Sequence, residues 1–300
     1  MGDKSAIEWC DSTWNPVRGC SLVSAGCTNC YAMRQARRSS GPGGAYEGLT
    51  KMTSHGPVWT GKIRTVPELL DQPLRWRRPR RIFVNSMSDL FHEDIPDDFI
   101  DRVFAVMALA IKHKFQVLTK RPKRMRDYIS GGTIDSHGVR RCYRRDSIIV
   151  DTIASDQLNE RLPGHGLEGA PWPFPNVWLG VSVEDQETAD ERIPLLLQTP
   201  AAVRWISAEP LLGSIILGGI GRPQSVRETP GPRLDWVVTG GESGPRARPS
   251  HPDWFRSLAE QCRAAGVRFF MKQITESGRK IPFEAFPTDL QIREYPDASL

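Results

Sequence analysis

Three cysteines within eleven positions carry the plainest chemistry in this chain. Cys20, Cys27 and Cys30 stand in the run GCSLVSAGCTNCY, a C-x6-C-x2-C spacing in a stretch rich in glycine and serine. Thiolates bind soft metals, and a C-x2-C step lets two sulfurs reach one metal centre while the longer loop bends to supply a third. Two kinds of centre meet that donor set. Structural zinc takes four protein ligands and would need a fourth from Cys10 or a distant histidine. A four-iron, four-sulfur (4Fe-4S) cluster held by three cysteines leaves one iron open to a substrate or cofactor. The other cysteines read differently: Cys262 follows Leu258 by one helical turn and belongs to a core, and Cys142 in RRCYRR is a loop thiol.

The elements that position this loop are short apolar segments ending in polar or glycine clusters. Seven read as strands: Asn15 to Gly19, Arg81 to Asn85, Phe115 to Thr119, Val177 to Val181, Val203 to Ser207, Trp236 to Thr239 and Arg268 to Met271. Their middles are apolar without clean alternation, as strands covered on both faces are. Helical sequence follows several of them. In PDDFIDRVFAVMALAIKHK, Asp97 suits the cap, Asp98 and Asp101 the first turn, and Lys112 and Lys114 the last, with Phe99, Val103, Val106 and Ala110 on one apolar face. SHPDWFRSLAEQCRAAG offers Ser250 or Asp253 as caps and Gly266 as a stop. Strand and helix alternating seven times predict an α/β fold, a partial or closed β/α (TIM-like) barrel of about seven parallel strands. One domain over residues 1–300 is expected, with a long loop at 41–61 and an insertion at about 130–176. In such a barrel the strand ends converge on one mouth. Those ends carry Cys20, Asn85 to Asp89, Thr119 to Arg121, Ser182 to Glu184, Ala208 to Pro210, Gly240 to Ser243, and Lys272 with Gln273.

Composition sets the outer bounds. At 39% hydrophobic and 25% charged the chain is an ordinary globular one, not collagen-like, coiled-coil or disordered. Six cysteines in 300 residues are too few for a disulfide scaffold. The longest apolar run, Val103 to Ile111, falls short of a membrane span, and the start has no apolar signal core, so a cytoplasmic protein is expected. The net charge of +5 is uneven. Residues 1–150 hold 25 Lys and Arg against 15 Asp and Glu, or +10, and the rest hold 15 against 20, or −5. LRWRRPRRI places five arginines around Trp76 but leads into the second strand, hence to the bottom of the barrel, which suits a docking or solvated face. KRPKRMR at Lys120 to Arg126 follows the third strand. With Arg140, Arg141, Arg144 and Arg145 it would make a phosphate-attracting rim for nucleic acid or a nucleotide.

A three-cysteine loop after the first strand of a β/α barrel resembles the radical S-adenosylmethionine enzymes. More closely, the chain resembles the phage-associated three-cysteine-motif proteins, a radical-SAM-like family without an assigned activity. The motifs are IEW at Ile7 to Trp9, TWNPVRGC at Thr13 to Cys20, GCTNCYA at Gly26 to Ala32 and RRIFVNSMSDLFHEDIP at Arg80 to Pro96. FQVLTKRP, VWLGVSVED, AEPLLG, DWVVTGGESGPRARP and FFMKQ follow, so that nearly the whole chain outside the insertion is covered. Two features depart from radical SAM enzymes: the first cysteine gap is six rather than three, and Tyr31 follows the third cysteine instead of an aromatic preceding it. Cys10 stands where the family pattern has threonine and is not taken as a ligand.

The resemblance implies a 4Fe-4S cluster on Cys20, Cys27 and Cys30 whose open iron holds S-adenosylmethionine. An electron passed to the sulfonium would give a 5′-deoxyadenosyl radical that takes a substrate hydrogen, the protein supplying position and dryness. Cofactor contacts would come from the mouth. Gly240 and Gly241 permit close backbone approach, and Glu242, Glu209 or Glu184 would meet a ribose or the ammonium. Asn85, Ser88, Asp89 and Ser182 have similar standing, and Lys120 and Lys272 would hold a carboxylate or phosphate, or pair with acids at the mouth. The expected activity is radical chemistry on nucleic acid or its precursors in a phage or mobile-element setting. The rivals are a metal-containing nucleic-acid-binding protein without catalysis and a subunit active only with a three-cysteine-motif partner protein.

Overall fold

The computed structural model describes residues 5–134, 140–142, 172–218, 232–244, 246–276 and 278–296. Apolar runs flanked by turn residues form seven parallel strands: β1 (Ser12–Trp14), β2 (Arg81–Val84), β3 (Lys114–Thr119), β4 (Val177–Ser182), β5 (Val203–Ala208), β6 (Trp236–Gly240) and β7 (Arg268–Gln273). They lie side by side in sequence order, each parallel to the next, and among the described residues no pairing joins β1 to β7. The sheet is a half-barrel. The expected partial barrel is therefore found, and six of its strands lie where they were expected, within a residue or two.

The first strand does not. Ser12, Thr13 and Trp14 pair with Ile82, Phe83 and Val84, ahead of the expected Asn15 to Gly19. Pro16 explains the correction, since it has no N–H to give a ladder. Beyond it Val17–Arg18 makes a separate two-residue antiparallel pairing with Arg64–Thr65.

Helices follow the strands: α1 (Tyr31–Arg37) after β1, α2 (Asp97–Leu109) after β2, α3 (Pro122–Ile129) after β3, α4 (Gln186–Leu197) after β4 and α5 (Pro252–Ala265) after β6. Phe99, Val103 and Val106 of α2 and Phe255 and Leu258 of α5 pack on Ile82, Val84, Phe115, Val117 and Ile206 of the strands. Two helix boundaries differ from expectation. Pro96 rather than Asp97 is the N-cap of α2, leaving Asp97 and Asp98 in its first turn, where carboxylates suit the dipole. The helix stops at Leu109, because Lys114 already belongs to β3 and donates its N–H to Arg80 O at 2.9 Å. In α5 the cap is His251, which accepts from Asp253 N, while Ser250 donates to Leu211 O at 3.0 Å; Gly266 ends the helix in the left-handed region, as expected.

The other face of the sheet is filled by aromatic rings. Phe83, Trp178, Trp205, Trp236 and Phe270 cluster with Trp9 and Cys10, alternating along each strand with the helix-facing residues. Trp205 and Trp236 are in register on neighbouring strands, with ring centroids 5.2 Å apart. Gly180 is required by this packing, since a Cβ there would lie 2.6 Å from the Trp205 indole.

Residues 41–61, expected as a loop, contain a β-hairpin of Thr50–Thr53 and Gly56–Trp59. Its Trp59 joins Tyr46 and Leu49 in a small core with Ala32, Met33 and Ala36 of α1, against which Cys20 and Cys30 pack. Of the expected insertion, Gly132–Ile134 and Arg140–Cys142 pair antiparallel. Residues 143–171, which include Arg144 and Arg145, lie outside the described residues, as do the side chains of Arg140, Arg141 and Cys142. No described helix is long and apolar enough to cross a membrane.

Candidate metal centre

The three cysteines lie between β1 and α1. Cys27 closes a single 3-10 turn, donating its N–H to Ser24 O at 2.9 Å, and Cys30 is the N-cap of α1. None is in a disulfide, and all three are half-buried. Burial pushes the Cys20 thiol up to about 12; Asp89 adds to this and Arg121 opposes it. Cys30 is also raised by burial, against the backbone N–H of Ala32 and the charge of Lys120. Cys20 feels the charges of Cys30 and Cys27 across the loop, and Cys30 that of Cys27. Ionising Cys20 and Cys30 is therefore opposed by burial and by neighbouring cysteine charge, a setting that a bound cation reverses. Among the described residues no group of three or more His, Cys, Asp or Glu side chains is arranged to hold a single metal ion.

What holds the loop in place comes from far along the chain. Glu184, fully buried past the end of β4, accepts from Ser24 Oγ at 2.8 Å and from Arg192 at 3.2 Å, and pairs with Lys120. Its carboxylate lies against Gly26, where an added Cβ would come within 2.4 Å of Oε1; only glycine lets the loop settle there. Glu242, past the end of β6, accepts from Asn29 Nδ2 at 2.9 Å and from Arg248 at 2.6 Å, and Arg248 in turn donates to Ala25 O at 2.9 Å. A third clamp starts at Asp89, which accepts from Thr119 Oγ1 at 2.7 Å and pairs with Arg121 at 3.0 Å; Arg121 donates to Ser21 Oγ at 2.6 Å. Three strand ends thus hold Ser21, Ser24, Ala25 and Asn29, the residues between and beside the cysteines.

Ser21 also contacts His92 Nε2 at 2.9 Å, which on paper suggests a nucleophile and its base. His92 Nδ1 accepts from Asp94 N at 3.2 Å, and burial with the Arg121 charge holds the ring neutral. Its single proton is then on Nε2 and is donated to Ser21, so the pair is a clamp and not an activated hydroxyl.

The residues expected to meet a cofactor divide accordingly. Glu184, Glu242, Asp89 and Lys120 bear on the cysteine loop through their own partners, and Ser88 Oγ donates to Val17 O at 2.9 Å beside it. Glu209 pairs with Lys272 at 2.8 Å and accepts from Ser207 Oγ at 3.0 Å, which is the acid pairing considered for Lys272. Gly240 stands against Glu209 and Gln273, and Gly241 exchanges hydrogen bonds with Gln273. The Ser182 carbonyl accepts from Arg192 at 2.8 Å. Asn85 differs from all of these: it is buried at the end of β2, has a positive φ of 58°, and neither its Oδ1 nor its Nδ2 has a partner. Asparagine tolerates that left-handed region better than other non-glycine residues, so it is the unpartnered amide that sets Asn85 apart.

Sequence reasoning missed Arg192, Asn29 and Arg248 as parts of this site, and placed Arg121 at the mouth without its clamping role. Arg121 sits in KRPKRMR, where it was expected to face phosphate. The described cations of that segment are instead paired: Arg121 with Asp89 and Glu93, Lys123 with Asp127 at 2.9 Å, Arg124 with Asp97 at 3.0 Å and Arg126 with Asp127 at 2.8 Å. Around Trp76, Arg75 pairs with Asp71 at 3.1 Å, Arg81 lies 3.6 Å from Asp11, and Arg80 lies over the indole.

No curated protein and no solved structure matches the chain. One family model does, over residues 4–287, and it describes a protein of unknown function, DUF5131. Spanning nearly the whole chain, half-barrel and cysteine loop included, that match makes this protein a member of the DUF5131 family.

Proposed function

We propose that this chain is an iron–sulfur protein in which Cys20, Cys27 and Cys30 hold a 4Fe-4S cluster at the barrel mouth. We further propose that it is a radical S-adenosylmethionine-type enzyme of the phage-associated three-cysteine-motif kind, acting on nucleic acid or a nucleotide-type substrate. The observation that carries the reading is the set of three free thiols on a loop that carboxylates from β4, β6 and the segment after β2 clamp over the strand ends. The donor set fits such a group. Cys20 and Cys30, whose thiols burial pushes up, need a strongly positive partner to ionise, and a cluster takes each thiolate on a different iron, so the sulfurs need not converge on one point as zinc demands. When bound, the cluster would supply an electron to a sulfonium cofactor.

The chain's own residues have defined parts in this reading. Glu184, Glu242 and Arg121 fix the loop through Ser24, Asn29 and Ser21. The tryptophan layer beneath the mouth excludes water. Asn85 offers a donor and an acceptor to a ligand at the mouth, because a buried amide with neither group satisfied is unfavourable until something binds it.

Metal analysis tests the proposal. Anaerobically purified and reconstituted protein should be brown and carry about four iron per chain, and Cys27→Ala should lose that iron. Zinc without iron would overturn it. Dithionite with S-adenosylmethionine should release 5′-deoxyadenosine, and its absence from iron-loaded protein would remove the radical part.

A further inference from the structure

The sequence points to two arginine-rich segments as basic surfaces, and most of their described cations have partners within the protein. A different group does not. Arg34, Arg37 and Arg38 at the end of α1, Lys51 on the hairpin and Arg246 in the loop after β6 have no carboxylate within ion-pair distance among the described residues. Lys62 and Arg64, just past the hairpin, share that state. All of these but Arg246 fall in residues 31–66, which hold six Lys and Arg against one acid, Glu47, whose carboxylate is used on Gly43 N at 2.9 Å.

These cations are held together at one edge of the mouth. Arg34 donates to Ser243 O at 2.9 Å, tying α1 to the loop after β6, and Arg246 of that loop accepts at its carbonyl from Asn29 at 2.9 Å. The Arg246 guanidinium reaches the hairpin turn, where a Cβ on Gly56 would lie 2.9 Å from it. The Lys62 carbonyl lies against Gly19, next to Cys20. Several of the guanidinium groups are fixed by neutral acceptors: Arg37 by Ser40 Oγ at 3.1 Å and Arg64 by Glu47 O at 2.9 Å. Their positions are set, while no carboxylate among the described residues compensates their charge. Arg37, Arg38, Lys51 and Arg246 are exposed, as is Met52, 56% accessible beside Lys51 on the hairpin.

We infer that this rim is the binding surface for the phosphodiester backbone of a nucleic-acid strand, leading it along α1 and the hairpin to the cysteine loop. Pre-positioned guanidinium groups without internal counter-ions suit phosphate oxygens. The inference deepens the proposed function and rests on it only in taking nucleic acid as the partner.

Fluorescence anisotropy of labelled single-stranded DNA and RNA, titrated with the full chain over a salt series, tests it. The triple variant Arg37→Gln, Arg38→Gln, Lys51→Gln should weaken binding on the order of tenfold or more. It should also lower the slope of log affinity against log salt by about 2 to 3, at roughly 0.7 to 0.9 per phosphate contact. Lys123→Gln with Arg126→Gln, whose cations are already paired with Asp127, should bind as the wild type does. An unchanged slope in the triple variant overturns the inference, as does an equal loss in the paired-cation control or binding displaced by polyglutamate as readily as by unlabelled DNA. Iron-free Cys27→Ala protein separates the two ideas. Wild-type affinity there supports the rim whatever becomes of the cluster, whereas failure of the wild type to bind any strand overturns the rim and leaves the iron result standing.

Discussion

At the scale of single residues, the site depends on carboxylates whose work is structural. Glu184 faces Ser24, Arg192, Lys120 and Gly26 at once. Removing one partner of such a buried set leaves the others unpaired, so Glu184→Ala should destabilise the protein by about 3–5 kcal/mol, read from urea unfolding, where a surface pair would cost far less. A wild-type unfolding midpoint would show that the loop is held elsewhere. Two histidines add a pH dependence. Burial holds both His92 and His113 below their ordinary 6.5, so in the folded chain they stay neutral where the unfolded chain takes up protons. The unfolded state then binds more protons as pH drops below about 6.5, and stability falls through that window down to the folded values. Unfolding midpoints across this range should decline with pH for the wild type and decline less for the His92→Gln, His113→Gln double variant.

At the scale of elements, the tryptophan layer sets a steric limit on β4. Gly180→Ala would place a methyl 2.6 Å from the Trp205 ring, and overpacking of this kind costs about 1–3 kcal/mol. A lower melting temperature with altered tryptophan fluorescence is expected; an unchanged spectrum would mean that the indole moves freely. The strands themselves were legible because each is an apolar run closed by a polar end, a pattern that requires no partner to be known. The first strand was not, since Ser12 and Thr13 look polar and are buried or half-buried only once β2 lies beside them. The hairpin at 50–59 was hidden for a related reason: its exposed residues, Lys51 to His55, have the composition of a loop. Glu184, Glu242 and Asp89 do lie just past strand ends, where the pattern of polar strand endings puts them. Their roles were not legible, because Ser24 and Asn29 lie 160 and 213 positions away from their carboxylates. Charge misled for the same reason, as nothing local distinguishes Arg121, buried and paired, from Arg37, exposed and without a described acid partner.

At the scale of the whole molecule, a half-barrel must protect the edge that a closed barrel would not have. The C-terminal segment does so at β7. Ile292 O accepts from Met271 N at 2.8 Å, Glu294 N donates to Phe269 O at 2.9 Å, and Phe270 bridges Arg293 antiparallel. The same segment spans part of the opening towards β1 and β2. Tyr295 packs on Trp236 and Phe270 at 5.5 and 5.3 Å, lies under the Arg81 guanidinium at 4.0 Å, and its hydroxyl reaches Glu8 O at 3.5 Å. One ring therefore touches residues of β2, β6 and β7 and ties the aromatic interior to both sides of the gap. Tyr295→Ala should cost about 2–4 kcal/mol through the lost packing. A chain ending at residue 290 should do more than lose stability, because an unpaired β7 edge beside exposed Trp236 offers a template for another copy. Size-exclusion chromatography should then show oligomers that the substituted full-length chain lacks; a monomeric truncated chain would place the protection of β7 in the strand itself and not in the segment that covers it.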